Sequence, residues 1–221
     1  MPYLESTTIT ICGARSPNES RPTARGISRN NAEGGIAMQD LPPGIRAARS
    51  GWTHTGKRRP PFAHEPGPGQ ESVWDYPRPP IVVPDSREVL IQTGDQTLAL
   101  SHRAVRVLET ASAPTFYLPP EDVEETLLIP MSGHSFCEWK GRAEYFELAA
   151  ALERGVPVAW TYPEPFPEFG ALADWYAFYP DRVACFVAGE RARPQAGGFY
   201  GGWITQDVVG PFKGDPGTGG W

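Results

Sequence analysis

Cysteine is scarce in this chain, and its three copies, Cys12, Cys137 and Cys185, lie far apart. No Cys-x-x-Cys pair occurs, so the sequence contains neither a recognisable disulfide framework nor a zinc knuckle. Isolated thiols are typical of proteins kept in a reducing compartment. We therefore expect a cytoplasmic protein with no structural metal and no bound cofactor.

Long apolar runs are also missing. No stretch approaches the roughly 20 consecutive apolar residues of a membrane-spanning helix. The first 25 residues lack the continuous apolar core of a secretion signal. These absences predict a soluble protein that does not enter a membrane.

Positive charge is the third feature in short supply. Against 20 Lys and Arg stand 26 Asp and Glu, which gives a formal net charge of −6. A nucleic-acid-binding protein needs a basic face, and here five basic residues between Arg46 and Arg59 form a short stretch without acids. The composition therefore argues against nucleic acid as a partner.

Proline and glycine are abundant, with 25 and 24 copies. Residues 1–37 show little apolar periodicity, which predicts a disordered tail or the product of a start codon assigned too early. Residues 38–84 alternate Pro and Gly with single aromatic side chains. Because proline cannot donate a hydrogen bond to a strand ladder, we predict an extended arm, with a disordered linker as the alternative. The predicted anchors of the arm are Trp52, Phe62, Trp74 and Tyr76.

Residues 85–192 carry the alternation typical of strands and are predicted to form the core domain, with residues 193–221 packing on it. "REVLIQ" and "TLALSH" flank a turn at Gly94 and Asp95, while "SFCEWKG" and "VPVAWTYP" each alternate. The segment "AEYFELAAALERG" suits a helix or a strand. Spacings of three and four between Phe169 and Tyr179 predict a short amphipathic helix. The fold class is therefore mainly β, with a minor helical part.

The stretch "SGHSFCEWKG" concentrates reactive side chains. A nucleophilic Cys137 would need a nearby base or cation, but on a strand His134 and Lys140 would both project from the opposite face. His134 and Cys137 have the spacing of half a zinc site, without an evident second half. The alternative is a structural cysteine buried beside Phe136 and Trp139.

An anion-binding residue is a further possibility in this region. Lys140 can bind an anionic group as a point charge, or it can be a solvated lysine beside a turn. Two loops, "AWTYPEPF" and "AFYPDR", add Tyr162, Tyr179 and Arg182 as ligand contacts. The alternatives are half-buried rings for the tyrosines and a surface ion pair for the arginine.

Four motifs together resemble the bacterial family catalogued as domain of unknown function 427. They are Tyr-x-Pro followed by acids, Cys-x-Trp-Lys-Gly, Trp-x-Tyr-Pro and Phe-Tyr, and the resemblance covers about residues 85–192, in order and with no missing block. The arm and the tail resemble a longer, actinobacterial-type subgroup. The matching positions are Tyr117, Pro119, Glu121, Cys137, Trp139, Lys140, Gly141, Trp160, Tyr162, Pro163, Phe178 and Tyr179.

The resemblance implies a compact β-tent fold, in which two small antiparallel sheets meet at an angle beside one short helix and hold a ligand between them. Relatives of that fold often bind zinc through two Cys-x-x-Cys knuckles, which this sequence lacks. A nucleotidyltransferase label attached to the family would imply paired metal-binding carboxylates, and no Asp-x-Asp occurs here.

Three functions follow from these observations. The leading hypothesis is a pocket for a small polar or anionic molecule. One alternative is an interaction module that uses the arm and tail to bind a protein or to form a homo-oligomer. The other is a thiol-dependent enzyme that uses Cys137. The expected ligand contacts are Lys140 as the anchor, with Trp139, Trp160, Tyr162, Tyr179 and Arg182 around it.

Overall fold

The computed structural model describes residues 38–151 and 155–221. The predicted disordered tail or start-site product, residues 1–37, lies outside the described residues. Among the residues that are described, no helix has the length and apolar character needed to cross a membrane. The arm, core and tail boundaries drawn from composition stay a prediction.

Strands dominate the described chain, which confirms the mainly β class. One α-helix, α1, spans Pro43–Ser50, and short 3-10 helices span Met38–Asp40, Pro120–Asp122, Glu125–Leu127 and Pro167–Leu172. The strands are β1 (Glu71–Ser72), β2 (Ile81–Pro84), β3 (Val89–Thr93), β4 (Gln96–Ser101), β5 (Val105–Leu108), β6 (Thr115–Tyr117), β7 (Leu128–Cys137), β8 (Gly141–Leu148), β9 (Ala159–Thr161), β10 (Ala177–Phe178), β11 (Ala184–Val187), β12 (Glu190–Arg191), β13 (Arg193–Pro194), β14 (Trp203–Ile204) and β15 (Val208–Val209).

Two four-stranded antiparallel sheets carry the fold, with strand orders β12-β11-β3-β4 and β10-β9-β8-β7. A three-stranded sheet, β2-β5-β6, and two strand pairs, β1-β15 and β13-β14, complete the strand pairing. The predicted hairpin is confirmed, because Thr93 pairs with Gln96 and Gly94 turns with a φ of 56°.

The hairpin of β7 and β8 corrects one prediction. "SFCEWKG" does not continue as a single strand, because β7 ends at Cys137 and the chain turns before β8 begins at Gly141. Gly141 has a φ of 97°, a conformation that glycine adopts without strain. The turn removes Trp139 and Lys140 from the predicted alternation of faces. The ambiguous segment "AEYFEL" forms β8.

The amphipathic helix predicted between Phe169 and Tyr179 is wrong beyond Leu172, and the part before it is a 3-10 helix. The 3-10 helix ends at Leu172, Asp174 has a φ of 62°, and β10 follows. The backbone of Tyr176 instead exchanges two hydrogen bonds with Leu118, at 2.8 and 2.9 Å. Tertiary strand pairing has therefore overridden a helical spacing of apolar side chains.

A buried cluster joins the two four-stranded sheets. It includes Ile91 from β3, Cys185 from β11 and Phe178 from β10. Trp203 from β14 stacks on the ring of Phe116 in β6, with the centroids 4.8 Å apart. Its indole N–H donates to the carbonyl of Phe178 at 3.0 Å. The C-terminal segment thus supplies one of the largest buried side chains.

The Pro-rich segment that contains Trp74 also packs into a core. Trp74 is fully buried, and its indole N–H donates to the carbonyl of Pro211 at 3.0 Å. Val73 and Tyr76 are buried beside it, against Leu108 of β5. Residues before and after the strands of the three-stranded sheet therefore share one apolar cluster.

Trp74→Ala is expected to lower the free energy of unfolding by about 3–5 kcal/mol, because it removes a fully buried indole and leaves a cavity. Urea unfolding of the full chain measures this difference. Leu100→Ala is the control, since Leu100 is 49% exposed on β4 and should change stability far less. Equal effects of the two substitutions would contradict this packing.

Candidate functional site

A cavity of about 300 Å³ lies beside the turn between β7 and β8. Strands β5 to β9 and the C-terminal segment supply its walls. Five of the residues singled out from the sequence line it together: Cys137, Lys140, Trp160, Tyr162 and Tyr179.

The other predicted site residues do not line this cavity. Trp139 is buried and lines a separate cavity of about 490 Å³, together with Arg49. Arg182 donates to the carbonyls of Pro157 and Gly198, and its guanidinium lies 4.1 Å from the Tyr179 ring centroid. Arg182 thus supports a wall of the first cavity from behind.

His134 is exposed on β7, where it pairs with Glu144 of β8. Within residues 38–151 and 155–221, no group of three or more His, Cys, Asp or Glu side chains is arranged to hold a metal ion.

Lys140 is buried in the cavity wall, with 9% of its surface exposed. Within the described part of the chain its Nζ has no hydrogen-bond or ion-pair partner. The nearest ring centroids lie 5.7 Å away in Tyr162 and 6.0 Å away in Phe169. Burial alone would lower the pKa of Lys140, but Cys137 and other neighbouring groups raise it above its usual value. The side chain is therefore an ammonium at neutral pH.

The turn that carries Lys140 is held from two sides. Arg49, in the last turn of α1, donates to the carbonyls of Glu138 at 2.6 Å and Trp139 at 3.4 Å. On the other side, the carbonyl of Lys140 accepts a hydrogen bond from the backbone N–H of Phe166 at 3.2 Å. These bonds fix the backbone on both sides of the lysine and aim its side chain into the cavity.

Sequence reasoning missed Lys213, which lines the same cavity and is 4% exposed. Its Nζ lies 3.7 Å from the Trp52 ring centroid and 5.4 Å from that of Tyr200. Burial lowers the pKa of Lys213. Glu109 raises it by a smaller amount, so the pKa stays below its usual value. The chain has three lysines, and two of them lie in this cavity.

A sequence signal for Lys213 does exist. "WKG" at positions 139–141 is matched by "FKG" at positions 212–214, so each buried lysine stands between an aromatic residue and a glycine. That short pattern was available, but nothing in it shows that the two lysines meet.

Two carboxylates border the cavity, and each has a partner within the protein. Glu109 lies 3.1 Å from Arg78, which also donates to two backbone carbonyls. The carboxylate of Glu138 accepts a hydrogen bond from the thiol of Cys137, with the sulfur 3.9 Å away. The charged residues that line the cavity are thus two lysines and two glutamates, and Arg78 pairs with Glu109 from outside the lining.

Aromatic rings form the walls between the charged groups. The centroids of Trp160 and Tyr179 are 4.5 Å apart, and Tyr117 lies 6.2 Å from Trp160. Burial raises the pKa of Tyr117, Tyr162 and Tyr179, so their hydroxyls stay neutral. A neutral phenol can donate a hydrogen bond to an anion, which gives the walls both apolar and donor character.

Gly201 lets the C-terminal segment close the cavity on one side. A Cβ at this position would lie 2.0 Å from the Cη2 atom of Trp160. No side chain therefore fits between this segment and the indole, and the segment can contact Trp160 through backbone alone.

Comparison with protein families agrees with the resemblance seen in the sequence. Residues 81–189, about half of the chain, match a family described as "Domain of unknown function (DUF427)". The match includes Lys140 and most of the aromatic wall, while Trp52 and Lys213 lie outside it. No curated protein matches the chain.

Lys213→Met is expected to raise the melting temperature at pH 7. The folded state lowers the pKa of this lysine, so folding is opposed by the buried charge while both states are protonated. As the pH rises through the lowered pKa towards the ordinary value of about 10.4, the folded parent loses the proton first, and the difference shrinks. Calorimetry across pH 7–10.5 measures the effect.

The matched control is Lys57→Met, since Lys57 is exposed. A lower melting temperature for Lys213→Met at pH 7 would mean that the ammonium over Trp52 stabilises the fold on balance.

Proposed function

Since residues 81–189 of this chain form a domain of the DUF427 family, whose description assigns no activity, we propose that the chain binds a small anionic molecule in the cavity beside Lys140. The observation that carries the proposal is a buried ammonium group that no described residue pairs. The neighbours that raise the pKa of Lys140 favour its charge electrostatically, but none of the described residues accepts a hydrogen bond from its Nζ, so its donors are available to a ligand. A bound carboxylate or phosphate would be that ligand.

The second lysine strengthens this proposal. Lys213 brings a second ammonium group to the same cavity from a distant part of the chain, again without an ion-pair partner among the residues described. Two such groups in one cavity are hard to explain as a satisfied core. An anion with several acceptor oxygens can accept from both, and from neighbouring phenols such as Tyr162.

The size and the lining of the cavity fit a small ligand. A volume of about 300 Å³ lies at the lower end of the range of roughly 300–1,000 Å³ for ligand pockets. Such pockets have mostly apolar walls with a few directed polar groups, as the rings around Trp160 and the lysines provide. Free thiols at Cys137 and Cys185 fit a cytoplasmic setting for this binding.

An interaction module finds less support. The aromatic residues Trp74 and Tyr76, which could have formed a partner surface, are buried within their own chain. Their apolar surface is therefore buried inside the protein and cannot contact a partner.

Millimolar inorganic phosphate or a small carboxylate such as acetate is expected to raise the melting temperature of the full chain in a saturable way. At 100 times the dissociation constant the stabilisation is about 2.7 kcal/mol, and a chain of this size shifts by about 2–4 °C per kcal/mol. Lys140→Met should lose the shift, because it removes the charge and keeps the length of the side chain. A thermal-shift titration measures both.

Lys57→Met serves again as the matched control, because general salt effects on stability act on it and on the parent alike. If Lys140→Met keeps the full saturable shift, the anion binds elsewhere and the proposal fails.

A thiol-dependent enzyme is the second candidate, because Cys137 lines the same cavity as Lys140. A thiolate is the reactive form of cysteine, and a neighbouring cation stabilises it. The ligand would then bind within reach of a nucleophile. Cys185 offers an internal comparison, since burial in the apolar core raises the pKa of its thiol.

Under this second candidate, Cys137 is expected to react with iodoacetamide at pH 7 faster than a free thiol does, and Lys140→Met should slow the reaction. Peptide mass spectrometry measures the labelling of Cys137 and, as a slow reference, of buried Cys185. Labelling of Cys137 at or below the rate of a free thiol removes this candidate while leaving anion binding intact.

A further inference from the structure

We propose that the ligand has two parts: an anionic head held by Lys140 and Lys213, and a flat apolar body held at the cavity mouth between Phe136 and Phe199. This inference rests on the proposed function and names the class of molecule that the cavity binds. The chemical class is an aryl or similarly flat apolar carboxylate or phosphate.

Two exposed phenylalanines are the starting observation. Phe136 is 52% exposed and Phe199 is 63% exposed, and both line the cavity. They come from different parts of the chain, β7 and the C-terminal segment. Single exposed apolar residues are ordinary on a protein surface, but two large rings at one cavity suggest a binding contact.

Each of the two exposed rings has an aromatic neighbour. Phe136 meets the ring of Phe166 edge-on at 6.0 Å, and Phe166 in turn lies 4.9 Å from the Arg49 guanidinium. Phe199 meets the ring of Tyr200 edge-on at 5.5 Å. Each ring thus has an aromatic contact within the protein and a large exposed area that a ligand can cover.

The same cavity also has apolar lining residues besides the two phenylalanines. Val107, Ala143 and the rings of Trp160 and Tyr179 line the same cavity. A bare phosphate or acetate would reach the ammonium groups and leave the rings of Phe136 and Phe199 exposed to water. A ligand with an apolar body would cover them, which is favourable by about 25 cal/mol per Å² of apolar area buried.

The two parts of the site divide between regions of the chain in a consistent way. Residues 81–189 supply Lys140 and Phe136, and the C-terminal segment supplies Lys213 and Phe199. Each region therefore contributes one cation and one apolar ring. The anionic head of the ligand would therefore contact both regions through the lysines, and its apolar body would contact both through the phenylalanines.

Paired ligands test the inference with the full chain. Phenyl phosphate is compared with inorganic phosphate, and phenylacetate with acetate, by titration calorimetry. The aromatic member of each pair is expected to bind about ten-fold more tightly to the parent, through apolar burial at the mouth. In the double variant Phe136→Ser, Phe199→Ser this ratio should fall to within about two-fold, while the affinity for inorganic phosphate stays unchanged.

Leu100→Ser is the control, because Leu100 is also about half exposed but lines neither cavity. If the double variant does not fold, Phe199→Ser alone is used, and it should lower the ratio by at least about two-fold.

Two results would overturn the inference while leaving anion binding in place. One is equal affinity of the parent for both members of each pair, and the other is a ratio that the variants leave unchanged. A parent that binds neither member of either pair refutes the proposed function itself, and the two-part ligand with it.

Discussion

The turn between β7 and β8 is the constraint on which the site depends. Gly141 reverses the chain with a φ of 97°, and Arg49 and Phe166 hold the turn backbone by hydrogen bonds from two other segments. With its backbone restrained in this way, Lys140 is buried and lines the cavity. Hydrogen bonds to the turn backbone therefore place the Lys140 ammonium, which has no ion pair with a described carboxylate.

Much of the sheet architecture could be predicted, because alternating apolar residues leave few choices for strands. The hairpin at Gly94 and the strands on either side of it are examples. The helix expected between Phe169 and Tyr179 failed for a physical reason: a local spacing is weak against backbone pairing with a distant strand. Lys213 was missed because burial and proximity depend on the whole fold, which a lone lysine near the C-terminus does not reveal.

The two lysines in the cavity differ in the direction of their pKa shifts. The surroundings of Lys140 raise its pKa, whereas burial and a nearby guanidinium leave that of Lys213 lowered. One cation therefore stays fixed in charge over a wide pH range, and the other can lose its proton more readily. Environments that separate the pKa values of like groups are a common way to give them different roles.

The hydrogen bonds from Arg49 of α1 to the turn show that the site depends on residues outside the family match. A fragment cut to the family boundaries, residues 81–189, would keep Lys140 but would lack Arg49, which holds the turn, and Lys213, which completes the pair of cations. It would also expose the face of the three-stranded sheet that Trp74 covers. A protein expressed from residues 81–189 alone would therefore have an incomplete cavity and an unprotected apolar surface.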